Sequence, residues 1–264
     1  MIGICTDSSA QLPRELVERL GIEVVPLIVT IDGHDRLDGV DLDPDEFWSQ
    51  YRDGHRPEVV MSEADPGQFA AAYEDLIAHG CTSIVSLHVA GSVVGALKAA
   101  RLAAHSTPIP VRVVDTTAAG FAVGCAVWKA AVVAAEGASV DEVVAVAEAA
   151  AASLGHFLVL PAASGPSDGY TVIRVQDGAV EVMASHATAV EAINDVSARA
   201  VAWGPRLRVA IGHSDQDSAP IAQALEDGLE SAASVAELVR FRIGPAMGAL
   251  TGPGAVGCVM CPID

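Results

Sequence analysis

Apolar runs and amphipathic segments alternate through the first half of the chain. Each apolar run is short enough for a buried strand and ends in small polar residues, after which apolar residues recur at helical spacing. Strands are predicted from residue 2 and at 22–31, 83–89 and 111–114, and helices at 13–20, 43–51, 67–79, 95–105, after 117 and at 140–153. This βαβ alternation predicts a mostly parallel sheet with flanking helices.

The pattern changes after about Gly155, where apolar runs follow one another at short spacing. Strands are predicted at 156–160, 170–175 and 179–184, and the dipeptide Asp177-Gly178 is typical of a hairpin turn between the last two. A helix at 187–203, a strand at 207–213, a helix at 219–231 and strands at 235–242 and 255–260 follow. The fold class is therefore α/β with two domains: an N-terminal α/β domain at 1–154 and a C-terminal α+β domain with a mixed sheet at 155–264.

The charge of the chain narrows the range of partners. Its 264 residues carry 34 acidic and 15 basic side chains, for a net charge of −19. Such an excess of negative charge repels nucleic acids and anionic membrane surfaces. The Ala/Val run at 123–135 is shorter than the roughly 18 residues a membrane span needs and contains Lys129, so no integral membrane association is predicted. Met1 leads directly into a strand, which predicts a cytoplasmic protein.

The chemistry-bearing residues do not form a recognisable catalytic set. The phosphate-binding glycine motifs, the nucleophile elbow and paired metal-binding histidines are all absent from the sequence. Cys258 and Cys261 have redox or zinc spacing, but they lie in an apolar terminal strand and are predicted to be core residues. Asp7 and Asp115 are candidates for an acid/base pair on this scaffold, although helix capping is the favoured role of both. No catalytic residue, metal site or cofactor is predicted.

Several loops place hydroxyl groups or glycine at the start of predicted helices. They are 6–9, 61–67, 90–95 and 115–117 in the first half, with the Gly/Pro-rich segment 243–254 in the second. His88 and His213, which lie at strand ends, are candidates to line a cleft near these loops. Because clefts between domains are common ligand sites, this arrangement predicts a small-molecule site.

The same loops carry a family resemblance that extends over almost the whole chain in the same order. Thr6-Asp7-Ser8-Ser9-Ala10-Gln11-Leu12-Pro13 resembles the opening motif of the DegV family of bacterial fatty-acid-binding proteins. Further similar segments are Asp38-Gly39-Val40-Asp41, Pro66-Gly67-Gln68-Phe69, Val114-Asp115-Thr116 with Gly120 and Gly124, Ile243-Gly244-Pro245 and Thr251-Gly252-Pro253-Gly254. The chain is identified as a divergent member of that family.

This resemblance implies a two-domain protein with an acyl tunnel between the domains and no catalysis of its own. A fatty acid or related acyl lipid would be the ligand, and no other cofactor is implied. In the family, the bound fatty acid's carboxylate is presented to a partner fatty-acid kinase. The resemblance therefore predicts a lipid-binding acyl carrier.

The sequence departs from the family pattern at the head-group end of the ligand. Met61 stands where the family has threonine, Val94 where it has the carboxylate-binding serine, and Leu250 where it has histidine. Ser62, Ser92 and Thr251 each lie one or two positions from a replaced residue and are candidates to supply the lost hydrogen bonds. The complete predicted ligand-binding set is Met61, Ser62, Ser92, Val94, Gly95, Leu250, Thr251 and Gly252.

Burying a carboxylate against apolar side chains without new partners would cost several kcal/mol. Three explanations stay open at this point: the substitute hydroxyls bind the carboxylate, the ligand is neutral and apolar, or the site is degenerate. In the last case the protein would be a non-catalytic regulatory or interaction module.

Overall fold

The computed structural model describes residues 1–62, 64–89, 95–163, 165–176 and 179–263. The predicted hairpin turn at Asp177-Gly178 lies outside the described residues. By their contacts the residues divide into two compact units, one formed by 1–42 and 58–152 and the other by 43–57 and 153–264. The segment 43–57 thus belongs with the second unit, and the domain boundary at 154/155 stays a prediction.

The regular elements are numbered in chain order. The strands are β1 (Ile2–Asp7), β2 (Ile22–Val25), β3 (Ile28–Ile31), β4 (His34–Leu37), β5 (Val59–Met61), β6 (Ser83–His88), β7 (Val111–Asp115), β8 (Gly155–Pro161), β9 (Tyr170–Gln176), β10 (Ala179–His186), β11 (Leu207–His213), β12 (Val235–Arg242) and β13 (Val256–Pro262). The helices are α1 (Arg14–Leu20), α2 (Pro44–Ser49), α3 (Pro66–Ala78), α4 (Ala96–Ser106), α5 (Phe121–Ala135), α6 (Val140–Ser153), α7 (Ala189–Ala202), α8 (Ala219–Glu230) and α9 (Pro245–Thr251).

The first unit contains the predicted parallel sheet, with strand order β2-β1-β6-β7. A smaller antiparallel sheet, β4-β3-β5, lies in the same unit. The apolar run at 22–31, predicted as one strand, is divided at Pro26, because proline has no N–H to donate to a ladder. As a result β2 joins the parallel sheet and β3 joins the small one.

Helix α5 is the most completely buried helix of the first unit, with its residues from Phe121 to Trp128 all inaccessible to solvent or nearly so. It packs against the turn after β1 at Gly124. A Cβ atom at this position would lie 2.5 Å from the carbonyl oxygen of Ala10. The absence of a side chain therefore allows the helix to lie directly on the backbone of the opening motif.

The second unit is built on a mixed sheet with the strand order β10-β9-β8-β13-β11-β12, in which only β11 and β12 run parallel. Apolar side chains of the sheet pack with those of α7 and α8 to form its core. Cys258 and Cys261 are buried in β13, as predicted for core residues. The mixed sheet in this unit confirms the α/β fold class predicted from the sequence.

Two short helices, α2 and α9, lie at one end of this unit, and the sequence pattern predicted only α2. Helix α9 forms where only irregular backbone was predicted, and α2 packs against it. The indole N–H of Trp48 donates to the carbonyl oxygen of Ile243 at 2.6 Å. Phe47 covers Gly248, where a Cβ atom would lie 2.6 Å from the phenyl ring. These contacts tie the segment 43–57 to the second unit.

Candidate functional site

The carboxylate of Asp7 is the centre of a buried hydrogen-bond network in the first unit. It accepts from the backbone N–H of Ser9 at 3.1 Å and also from the hydroxyl of Ser9, so it caps the short turn that follows β1. Its second oxygen accepts from Nδ1 of His88 at 2.7 Å. The predicted capping role is therefore real, and the partnership with His88 adds to it.

His88 continues the network into the sheet. Because the Asp7 carboxylate only accepts, Nδ1 of His88 donates to it, and Nε2 of His88 forms a hydrogen bond with the hydroxyl of Ser86 at 2.6 Å. The Ser86 oxygen in turn accepts from the hydroxyl of Tyr73 at 2.9 Å. Each donor in this chain has its acceptor, so the network is fully satisfied and holds β1, β6 and α3 together.

Asp7, His88 and Ser86 have the order of a hydrolytic triad, but burial excludes that chemistry in this conformation. All three side chains are inaccessible to solvent. A nucleophile must approach its substrate to within about 3 Å, and the Ser86 side chain is enclosed. Burial also raises the pKa of the neighbouring Cys5 thiol and of the Tyr73 phenol, so neither group is an activated nucleophile. The expectation that His88 lines a cleft is wrong, because its ring is enclosed.

Asp38 is a second buried acid beside this network, with 8% of its surface exposed. Burial raises the pKa of the Asp38 carboxyl to about 7, the negative charge of Asp7 adds to the rise, and a hydrogen bond with the Ser8 side chain opposes it. The Ser8 hydroxyl also accepts from the backbone N–H of Leu27 at 3.1 Å. The opening motif is thus occupied by contacts within the protein.

The first group of predicted ligand residues lies at the end of the small sheet. Met61 is the last residue of β5, and Ser62 follows it with its N–H bonded to the carbonyl oxygen of Ile28 at 3.0 Å. The Ser62 hydroxyl lies 3.1 Å from the hydroxyl oxygen of Thr30, which donates to the carboxylate of Asp35 at 2.6 Å. Both Met61 and Ser62 are half-buried and keep exposed surface.

The second predicted loop is represented by one residue. Ser92 and Val94 lie outside the described residues. Gly95 precedes α4 with a φ of +66°, a left-handed conformation that favours glycine, and its carbonyl oxygen accepts the first helical N–H groups. Gly95 therefore sets the direction in which the chain enters α4.

The third predicted group lies in the second unit at the end of α9. Leu250 is 48% exposed, whereas Thr251 is 8% exposed. The hydroxyl oxygen of Thr251 is buried and makes no hydrogen bond to any described residue. Gly252 has a φ of +68° and caps the helix through its N–H to the carbonyl oxygen of Gly248. The structure thus brings Met61 and Ser62 together, and separately Leu250, Thr251 and Gly252, each group within its own unit.

The residues after Gly252 are fixed by side chains of the loop that follows β11. The N–H of Gly254 donates to Asp215 at 2.8 Å, and that of Ala255 donates to the hydroxyl of Ser214 at 2.9 Å. His213 precedes this loop and is half-buried. Burial and the nearby charge of Arg242 lower its pKa to about 4, so the ring is neutral at neutral pH. This network positions the turn beside Thr251.

A cavity of about 760 Å³ lies in the second unit between α2 and the loop after β11. Trp48, Tyr51 and Tyr170 contribute aromatic walls, and Asp45 and Asp215 contribute carboxylates. Asp45 is paired with Arg242 at 2.8 Å, so part of this negative charge is balanced. None of the predicted ligand residues that the structure describes lines this cavity, and the sequence pattern gave no signal for it.

The residues that the structure describes include neither a metal-binding cluster nor a membrane-spanning helix. Among those residues no group of His, Cys, Asp and Glu is arranged to hold a metal ion. Within the same residues no helix combines the length and apolar character that a membrane crossing requires.

The two units, one on a parallel and one on a mixed sheet, define a two-unit α/β protein whose distinctive loops follow strand ends. The family model described as "Uncharacterised protein, DegV family" matches residues 1–162. A DegV domain-containing protein of Streptomyces coelicolor is 32% identical over 279 residues, which cover 98% of each chain. The chain therefore belongs to the DegV family, which confirms the resemblance carried by its motifs.

Solved structures agree with this assignment. A DegV family protein from Thermus thermophilus, described as binding fatty acid, has a TM-score of 0.88 and 26% identity over 99% of both chains. A Thermotoga maritima protein, described as revealing a fatty-acid-binding function, has a TM-score of 0.85 and 22% identity over 99% of both chains. The Thermotoga structure, at 22% identity, supports the fold alone.

Proposed function

We propose that this chain is a carrier of acyl lipids that buries the hydrocarbon chain of its ligand and presents the head group to a partner fatty-acid kinase. The Thermus relative described as binding fatty acid supports this, because it matches the chain over almost its whole length. Each methylene that leaves water contributes about 0.8 kcal/mol, so a long acyl chain supplies most of the affinity. We further propose that it works in the cytoplasm, without a cofactor, nucleic acid or integral membrane contact.

The unpaired hydroxyl of Thr251 is the observation that supports a ligand site at particular residues. Buried polar groups in proteins have hydrogen-bond partners in the great majority of cases. This hydroxyl has none among the described residues, and it lies in the segment where the family has its C-terminal signature. We infer that the partner of Thr251 is the ligand, and that Leu250, Gly252, Met61, Ser62, Ser92, Val94 and Gly95 complete the site.

The proposal that the chain itself is not an enzyme has physical support. The triad-like set of Asp7, His88 and Ser86 is fully buried, and the hydrogen bonds of each member are already satisfied. Asp115 caps its own turn through the N–H of Thr117 at 2.9 Å. Both residues considered for acid/base chemistry therefore have structural partners.

The test is native mass spectrometry of the protein purified from cells, followed by extraction and identification of any bound lipid. We expect a mass increase that disappears on delipidation and is restored by an added long-chain lipid. A protein that is empty as purified and binds neither acyl acids nor neutral acyl lipids would contradict the carrier function. A kinase captured equally by wild type and by a variant whose acyl tunnel is blocked would favour the regulatory or interaction module.

A carrier of a neutral ligand is the second candidate, and a specific observation favours it. Met61 and Leu250 are apolar where the family has hydrogen-bonding side chains, and Leu250 is 48% exposed without serving the core. The same purification experiment separates the candidates, because extraction identifies the head group of the bound lipid.

A further inference from the structure

Helix α9 carries Thr251 at its C-terminal end and depends on its neighbours for its position. It has seven residues, and an isolated helix shorter than about 12 residues is marginal in water. Its N-cap residue, Gly244, has no side chain to bond the first turn, and its interior contains Gly248, an unfavourable residue in a helix. The place of the Thr251 hydroxyl is therefore set by what packs against α9.

The segment 43–57, which we call the arm, supplies this packing. It leaves the first unit after residue 42 and returns to it at residue 58, and in between it belongs to the second unit. Phe47 and Trp48 of the arm lie against Gly248, where a Cβ atom would be 2.6 Å from the phenyl ring and 3.3 Å from the indole ring. Gly248 and Thr251 are three residues apart and both buried, so they share one face of α9. The arm thus packs on that face, one turn before Thr251.

Trp48 also fixes the backbone that leads into α9. Its indole N–H donates to the carbonyl oxygen of Ile243 at 2.6 Å, and the N–H of Ile243 donates to the carbonyl oxygen of His213 at 2.9 Å. Both backbone polar groups of Ile243 are therefore bonded, two residues before α9 begins. Because Trp48 is only 4% exposed, its hydrogen bond is shielded from competing water.

A second contact of the arm leads to the backbone after α9. Asp45 pairs with Arg242 at 2.8 Å, and Arg242 donates to the carbonyl oxygen of Ser214 at 2.7 Å. The Ser214 hydroxyl in turn accepts from the N–H of Ala255 at 2.9 Å. The Asp45 side chain is 60% exposed, so solvent weakens its ion pair. The buried contacts of Trp48 are therefore the stronger constraint on α9.

We propose that Trp48 is a positioning residue of the lipid site, because it holds α9 where the Thr251 hydroxyl can bond the head group of the ligand. This inference rests on the proposed carrier function and on the assignment of Thr251 to the ligand. Trp48 is not among the predicted ligand residues, and it acts on the ligand through α9.

The test compares Trp48→Phe with Trp203→Phe in the delipidated full-length protein, using palmitate and hexadecanol as probes. Trp203 is the matched control, since its indole N–H also donates to a backbone carbonyl of the second unit, that of Ser153 at 3.0 Å, and its ring packs on Phe157. We expect Trp48→Phe to weaken binding of the tighter probe by about fivefold, and Trp203→Phe to weaken it by less than about twofold. Equal losses would overturn the positioning role and leave the carrier function standing, whereas a wild type that binds neither probe would refute both.

Combination with Thr251→Val shows whether Trp48 acts through the Thr251 hydroxyl. Once that hydroxyl is absent, Trp48→Phe should change the affinity for the same probe by less than about twofold, because two residues of one coupled set do not contribute additively. A fivefold loss that persists in the Thr251→Val background would mean that Trp48 affects binding by another route, and it would overturn the inference.

Hydrogen exchange of the indole N–H groups provides a second measurement, on wild type, in case Trp48→Phe does not fold. If the ligand and the Trp48 contact are coupled, each stabilises the other by the same factor. A saturating probe should therefore slow exchange at the Trp48 indole by about fivefold and at the Trp203 indole by less than about twofold. Nuclear magnetic resonance of protein with ¹⁵N-labelled tryptophan measures both rates, and equal slowing of the two groups would contradict the inference.

Discussion

Replacing Thr251 with valine removes a buried hydroxyl while nearly conserving the shape of the side chain. The hydroxyl has no hydrogen-bond partner among the described residues, although the side chain is only 8% exposed. An unpaired buried hydroxyl costs about 1–3 kcal/mol relative to its hydrated state. Thr251→Val should therefore raise the free energy of unfolding of the delipidated protein by about 1–3 kcal/mol, whereas most substitutions lower it.

The lipid-loaded protein should respond in the opposite sense. If the Thr251 hydroxyl bonds the ligand, its loss removes about 0.5–1.5 kcal/mol of binding free energy, which corresponds to a roughly two- to tenfold weaker affinity. The additional stability that a saturating ligand confers then shrinks by the same amount. Valine and threonine have similar helix propensities, so the position of residue 251 at the end of α9 adds little to either effect.

The assay is urea unfolding of delipidated and lipid-loaded protein, followed by tryptophan fluorescence and by circular dichroism. Trp48 and Trp203 report on the second unit, and Trp128 reports on the first. Coincident transitions from both probes are needed before a single unfolding free energy is derived, because a two-unit chain can unfold in steps. Thr107→Val serves as the control, because it removes a hydroxyl that has a partner and should lower stability in both forms.

Two results would refute this reasoning. A delipidated Thr251→Val protein that is less stable than wild type by about 1 kcal/mol would mean that the hydroxyl has a partner in the protein. An unchanged affinity for every acyl probe would mean that Thr251 does not contact the ligand.

Three further substitutions test the scaffold. Asp7→Asn should lower the free energy of unfolding by about 3–5 kcal/mol, because its amide N–H₂ group would face a buried donor of Ser9 or His88, whereas Asp115→Asn keeps the one oxygen that caps its turn and should cost less than about 0.5 kcal/mol; equal effects in urea unfolding would contradict this. Gly124→Ala should lower the free energy of unfolding by about 1–3 kcal/mol, because the added Cβ atom clashes with the carbonyl oxygen of Ala10. In the control Gly228→Ala the added Cβ atom makes only an ordinary contact at 3.5 Å. The same measurement should show it to be neutral or stabilising by up to about 1 kcal/mol. Folding raises the pKa of Asp38 from 3.8 to about 7, so the folded state binds this proton more tightly than the unfolded state does. The free energy of unfolding should therefore fall by up to about 4 kcal/mol as the pH rises from 4 to 7. Asp38→Asn should lack this decline, and parallel pH profiles of variant and wild type would disprove it.

The elements that the sequence predicts best are long and have a regular period. Residues 140–153, 207–213 and 235–242 form the helix and strands expected there, with the same bounds. In these segments the local hydrophobic pattern and the tertiary packing favour the same structure. Secondary structure can therefore be predicted there from the local pattern alone. The family resemblance implied the same two-domain α/β fold class.

Short elements were missed because their structure depends on partners that are distant in the chain. Strands β4 and β5 are ordered by pairing on both sides of β3, and α9 is held by contacts with Phe47 and Trp48. Their few residues show neither a clear period of two nor one of 3.6. Pairwise contacts of this kind cannot be derived from a local pattern.

The candidate site shows the same limit at the level of single atoms. The sequence predicted Met61, Ser62 and Thr251 as candidate ligand residues from their positions in the motifs. It gave no indication that the Ser62 hydroxyl lies beside that of Thr30, because this contact depends on the pairing of β3 with β5. The partnership of Asp7 with His88, which is 81 residues away, was likewise invisible and converts a simple cap into a buried network.

A substitution in the opening motif around Asp7 would destabilise the fold far more than one at the proposed head-group residues. This difference explains how the head-group residues can change while the fold persists. Asp7 is enclosed and accepts from Ser9 and His88, so its replacement would leave buried donors unpaired at a cost of several kcal/mol. Met61 and Leu250 lie on half-buried or exposed surface, where a change of side chain costs the folded protein little. The opening motif is therefore tied to the stability of the first unit and identifies the family. We propose that the residues around Ser62 and Thr251 specify the ligand, and it is there that this chain departs from the family pattern.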